Sequence, residues 1–96
     1  MAAYVVLIRD RMKDPEEFAL YAPAAREARG GHDITPLAFY GDFQVLEGPP
    51  AEGVVILKFP DTAAARAWYD SPAYQAALQH RLKGADYRVV IVEGVA

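Results

Sequence analysis

Cysteine is absent from this 96-residue chain, which excludes disulfides, thiolate metal sites and a cysteine nucleophile, and fits a reducing compartment. Histidine is scarce. His32 and His80 stand far apart, so no local metal-ligand spacing exists and no metal site is expected. Ser71 is the sole serine and lacks a G-x-S-x-G setting, so hydrolase chemistry would rest on a residue better suited to capping a helix. Neither G-x-G-x-x-G nor a P-loop occurs. Gly30-Gly31 precedes a strand rather than a helix and cradles no phosphate, and no cofactor is expected. An excess of positive charge is missing too: 10 basic residues face 13 acidic ones, net −3, the wrong sign for a nucleic-acid partner. The apolar run Tyr4 to Ile8 is far shorter than a membrane span or a signal segment, and no basic run precedes it. A cytoplasmic protein without a membrane partner is the expectation. No repeat or low-complexity tract appears, and the Pro/Gly cluster Gly48-Pro49-Pro50 is short enough to be a turn, so residues 1–96 are expected to form a single domain.

Hydrophobic residues make up 53% of the chain, but 18 of them are alanine, which leaves bulk for one small core. Tyr4-Val5-Val6-Leu7-Ile8 is β-branched and aromatic without polar interruption, the pattern of a strand buried on both faces. Asp14-Pro15-Glu16-Glu17 then supplies a capping acid, a proline at the first helical position and a glutamate three residues after the cap. Phe18, Tyr21, Ala22, Ala25 and Ala28 follow at helical spacing, and Gly30-Gly31 is expected to close the helix. Pro23 lies inside, which predicts a kink or break near Ala19 to Ala22.

Ile34 to Leu46 reads as a strand interrupted at Gly41-Asp42, with Pro36 favouring a sheet edge. Val54-Val55-Ile56-Leu57 repeats the doubly buried pattern up to Pro60. Asp61 can cap a helix over Thr62 to Tyr69 that turns Ala64, Ala65 and Trp68 inward. Ser71-Pro72 starts another, with Tyr74, Ala77, Leu78 and Leu82 on one stripe, ending at Gly84. Tyr87 to Val92 is the last strand.

The order is β-α-β-β-α-β with a short extra helix before the last strand, an α+β, ferredoxin-like fold. By the right-handed crossover rule the helices cover one face of the sheet. Val6, Ile8, Val55, Leu57 or their alternates would then meet water on the other, at a cost of about 25 cal/mol per Å². A second copy of the chain covers that face most simply, so a homodimer is expected.

Trp68-Tyr69-Asp70-Ser71-Pro72-Ala73-Tyr74-Gln75, Val45-Leu46-Glu47-Gly48 and the ending Val92-Glu93-Gly94 carry a resemblance to a family of small proteins. The chain resembles the domain-of-unknown-function thirteen-thirty family, of the dimeric α/β-barrel superfamily. The likeness covers essentially the whole chain, and Ala65 to Gln75 is its most specific part. Asp14-Pro15 and Gly30-Gly31 also match. The sequence departs from the pattern at Ala38 to Asp42, where an arginine with paired glycines is usual, and in a shorter first helix. The resemblance implies the fold and the dimer. Function comes only through superfamily relatives, which include cofactor-free monooxygenases, small isomerases and haem enzymes, and fold does not fix chemistry.

Several side chains could carry chemistry, each with a plainer role beside it. His32 follows the glycine pair at a helix-to-strand junction, where it could serve as acid or base near neutral pH or be an ordinary loop histidine. His80, between Gln79 and Arg81, reads as a solvated surface residue. Trp68, Tyr69 and Tyr74 could enclose an apolar or aromatic ligand, or simply pack helix on sheet. Tyr40 and Asp42 flank Gly41 at the expected bulge, where side chains are aimed either into a site or into solvent. Asp86 and Arg88 could pair at a strand end.

Two uses remain, from different classes. One is a cofactor-free homodimeric enzyme, isomerase or monooxygenase-like, acting on a small, partly apolar metabolite, with His32 catalytic and Tyr40, Asp42, Trp68 and Tyr74 about the ligand. The other is a non-catalytic dimer that binds a small ligand or another protein through the same cleft. The first requires His32, Asp42 and Asp86 to converge.

Overall fold

The computed structural model describes residues 1–95. The chain runs β1 (Ala3–Met12), α1 (Pro15–Ala19), α2 (Tyr21–Glu27), β2 (Thr35–Phe39), β3 (Gly53–Phe59), α3 (Thr62–Asp70), α4 (Pro72–Gly84) and β4 (Ala85–Glu93). The four strands form one sheet in the order β2-β3-β1-β4, and every neighbouring pair is antiparallel. This is the ferredoxin-like arrangement.

Each helix start is written in the sequence. The Asp14 carboxylate accepts the Glu17 N–H with Pro15 in the first turn, Asp61 Oδ1 accepts from Ala64 N at 2.7 Å, and Ser71 Oγ accepts from Tyr74 N at 3.2 Å. The break ahead of Pro23 falls at Leu20. Pro23, which has no N–H to give to the Ala19 carbonyl, occupies the first turn of α2, where that donor would be unpaired anyway.

Four expectations are corrected. The second strand stops at Phe39 instead of running to Leu46: the register shifts between Pro36 and Ala38, and Tyr40 turns left-handed at φ 54°, so the chain leaves the sheet. On α4 the inward stripe is Tyr74, Ala77, Leu78 and Arg81, and Leu82 is 53% exposed; Arg81, seven residues after Tyr74, completes two turns on that face. Gly84 is no left-handed cap. A Cβ there would lie 2.6 Å from Phe18 Cβ and 2.7 Å from its Cα, so glycine lets α1 press onto the end of α4, where the Gly84 carbonyl accepts from Lys13 N and Asp14 N. Asp86 and Arg88 do not pair with each other but across the strands with β1: Asp86 with Arg11 at 3.0 Å and Lys13 at 3.2 Å, Arg88 bidentate with Asp10.

The antiparallel register sorts side chains between two faces. Val5, Leu7, Val55, Leu57 and Phe59 point towards the helices and pack with Ala65, Trp68, Tyr74 and Leu78. Tyr4, Val6, Ile8, Val54, Ile56, Val90 and Val92 point the other way, and Val90 and Val92 are 56% and 52% exposed. The loop between β2 and β3 lies against part of that second face, with Phe43 and Val45 beside Ile8, Val54 and Ile56.

Candidate functional site

At one end of the helix-covered face a single row crosses the sheet. Arg9 of β1 stands opposite Gly53 of β3 on one side and Tyr87 of β4 on the other. Tyr40, just past β2, lays its ring over Gly53, where a Cβ would sit 2.6 Å from the ring. That glycine is required by the close approach. The Tyr40 hydroxyl reaches across the row to hydrogen-bond the Tyr87 hydroxyl. The Arg9 guanidinium is held between rings, 5.2 Å from the centre of Tyr40 and 5.5 Å from that of Phe18, while its Nη2 donates to the Glu52 carbonyl at 3.0 Å.

Beside this row a cavity of about 170 Å³ opens between the sheet and α1–α2. Leu7, Val55 and Leu57 form its sheet side, Phe18 and Tyr21 its helix side, and Phe39, Tyr40 and Trp68 complete it. Arg26 and Arg29, both exposed, line it as well, and no carboxylate or histidine does. Ala22, Ala25 and Arg26 recur at the spacing of one face of α2, and the turn after the helix adds Arg29, so two small and two cationic side chains meet the cavity together.

Behind the cavity, Tyr21 and Tyr74 share a hydrogen bond of 2.7 Å between hydroxyls, and the Tyr74 ring lies 4.2 Å from that of Trp68. Burial pushes the Tyr21, Tyr74 and Tyr87 hydroxyls above the ordinary tyrosine range, the proximity and hydrogen bond of Tyr74 adding to the effect on Tyr21 and the Tyr40 hydrogen bond to that on Tyr87. These hydroxyls stay protonated at neutral pH. Arg81 is 3% exposed and its guanidinium rests 4.8 Å from the centre of the Tyr87 ring and 5.8 Å from that of Tyr21, with no carboxylate within 4 Å among the described residues.

The residues singled out from sequence are divided among three places. Tyr40 and Trp68 line the cavity together, and Tyr74 stands one layer behind. Asp42, within the β2–β3 loop, lies with Arg88 on the opposite side of the sheet. His32 is half-buried in the turn after α2, where its N–H donates to the Arg29 carbonyl, and it lines none of the described cavities. His32, Asp42 and Asp86 do not share a cavity. His80 is more than a solvated side chain, since its Nδ1 sits 2.7 Å from Glu17 Oε1 and ties α4 to α1. Arg9, Arg26, Arg29, Arg81 and Tyr87 were not legible as a group. Arg81 alone carried a signal, its spacing from Tyr74. No group of His, Asp and Glu among the described residues could hold a metal ion, and no helix among them is long and apolar enough to cross a membrane.

The family described as a domain of unknown function, DUF1330, matches residues 2–95. A protein of unknown function from Rhodopseudomonas palustris superposes with a TM-score of 0.74 at 19% identity, over 99% of this chain and 83% of its own. A dimeric ferredoxin-like protein of unknown function from Thermobifida fusca gives 0.65 at 17% identity, over 96% and 90%. SnoaB, a cofactor-independent oxygenase from Streptomyces nogalater, gives 0.66 at 11% identity, over 99% and 94%. Identities this low carry the fold and not the chemistry. No curated protein matches the chain.

Proposed function

The chain belongs to the DUF1330 family, and from that premise we propose that it is a homodimeric protein that binds a small, partly apolar organic molecule in the cavity between the sheet and α1–α2. The observation that carries this is the cavity itself: aromatic and aliphatic walls with hydroxyls and guanidiniums at the edges, the composition of small-molecule sites. Trp68 and Tyr40 present the ligand with flat apolar surface, and Tyr40 offers a hydroxyl beside it. The homodimer is supported by the uncovered apolar face of the sheet and by neighbours described as dimeric.

A second reading keeps the same cavity and adds cofactor-free oxygen chemistry, the activity named for SnoaB. What favours it is the donor set. Tyr21, Tyr40, Arg26 and Arg29 are groups that stabilise negative charge developing on a substrate oxygen. Oxygen uptake by the protein with a bound molecule separates this reading from binding alone.

Trp68 is the sole tryptophan, so its indole N–H gives one isolated NMR signal inside the site. Uncharged aromatic fragments screened against the labelled protein are expected to shift that signal, and Ala25→Phe, which fills the cavity, is expected to abolish the shift. A silent signal across the screen, or shifts that survive Ala25→Phe in a folded variant, would overturn the proposal.

A further inference from the structure

The charges about the cavity are lopsided in a chain whose net charge is −3. Arg26 and Arg29 line it, Arg81 lies behind its Tyr21 wall, and none of the three has a carboxylate within 4 Å among the described residues. Elsewhere Arg9 stands 3.8 Å from Glu52, Arg11 and Lys13 pair with Asp86, Arg66 with Asp70 and Arg88 with Asp10, while Lys58 and Lys83, which do not line the cavity, have no carboxylate within 4 Å among the described residues. A guanidinium as buried as Arg81 is costly to desolvate without an anion, and aromatic faces offset only part of that cost. The charged side chains that line the cavity are therefore all cationic, and Arg81 adds a buried positive charge behind the Tyr21 wall.

We propose that the molecule bound here carries an anionic oxygen at one end of its apolar body, as a carboxylate, an enolate or a phenolate, and that Arg26 and Arg29 select it. The inference rests on the ligand-binding reading above and narrows it to a chemical class. Arg26, in the last turn of α2, and Arg29, in the turn just past its end, both line the cavity, and their planar forks suit a two-oxygen or a single-oxygen anion. The apolar body then lies against Leu57, Phe39 and Trp68. Arg81 does not touch the ligand in this arrangement. Behind Tyr21, it keeps the field positive and the tyrosine edges oriented.

Two probes of one shape test it: 2-naphthoate, which is charged, and 2-naphthylmethanol, which is not, both followed by the Trp68 indole signal. The naphthoate is expected to bind at least about tenfold more tightly, the gain of a modest charge-assisted contact. The double variant Arg26→Gln, Arg29→Gln, altered only at exposed positions, is expected to reduce the naphthoate to the level of the neutral probe. Equal binding of the two probes to the unaltered protein, or a preference that persists in the double variant, overturns the anion inference while the binding reading stands. Failure of both probes to move the Trp68 signal removes the binding reading and the inference with it.

Discussion

Tyr40 is alone among the described non-glycine residues in taking a positive φ. A left-handed tyrosine costs about 1–2 kcal/mol, and the surroundings hold it there: Tyr40 N donates to the Val54 carbonyl at 2.9 Å, the ring lies on Gly53, and the hydroxyl meets Tyr87. That turn is what brings an edge residue over the sheet and into the cavity wall. Ser71 takes the capping role that the sequence suggests for it. Its Oγ accepts from Tyr74 N and donates to the Trp68 carbonyl at 2.8 Å, joining the end of α3 to the start of α4. Ser71→Ala is expected to lower stability by ~0.5–2 kcal/mol with ligand affinity unchanged, as read by urea unfolding beside the Trp68 titration. Normal unfolding with lost binding would overturn the capping role.

At the scale of elements, α1 presses Phe18 onto Gly84 and, after the break at Leu20, α2 turns Ala22, Ala25 and Arg26 towards the cavity that Phe18 also lines. The His80–Glu17 contact holds α1 to α4 across that junction. The sheet poses the opposite problem, with one face filled and the other bearing Val6, Ile8, Val54, Ile56, Val90 and Val92 with only a loop against part of it. Light scattering at micromolar concentration is expected to give the mass of two chains, and Val90→Glu to give one chain with a lowered melting temperature. Since Val90 is 56% exposed in the single chain, a charge there should scarcely disturb an isolated protomer, so the loss reports the partner. A single-chain mass for the unaltered protein would leave the open face unexplained and the homodimer refuted.

For the whole molecule, the tyrosines set an alkaline limit. Tyr21, Tyr74 and Tyr87 hold their protons above the ordinary tyrosine value because burial disfavours the phenolate. Their contribution is complete below pH ~10, where folded and unfolded chains are both protonated. Above it the unfolded chain releases protons that the folded chain keeps, so stability falls as pH rises. Melting temperatures measured from pH 8 upwards are expected to drop steeply only beyond about 10. Absorbance of tyrosinate should meanwhile lag in the folded protein relative to the urea-unfolded one. Coincident absorbance curves would show that burial does not hold these protons.

The sequence by itself determined the elements and their order, because those signals are local. Asp14, Asp61 and Ser71 each cap a helix with their own side chains, Pro23 marks a break with its missing N–H, and doubly apolar strands declare a buried sheet. It also placed Trp68 and Tyr40 among the candidates for the site. The end of β2 escaped it, because alternation of apolar residues through Phe43 and Val45 persists after the hydrogen bonding has ceased; those side chains lie against the sheet from a loop rather than from a strand. The site as a constellation was decided by tertiary structure. Arg9, Gly53 and Tyr87 become neighbours only through the antiparallel register, aromatic faces from α2 and β4 meet the Arg81 guanidinium only in the folded chain, and His32 and Asp42 line no common cavity. Such placements depend on pairings between residues far apart in the chain, and no local pattern encodes them.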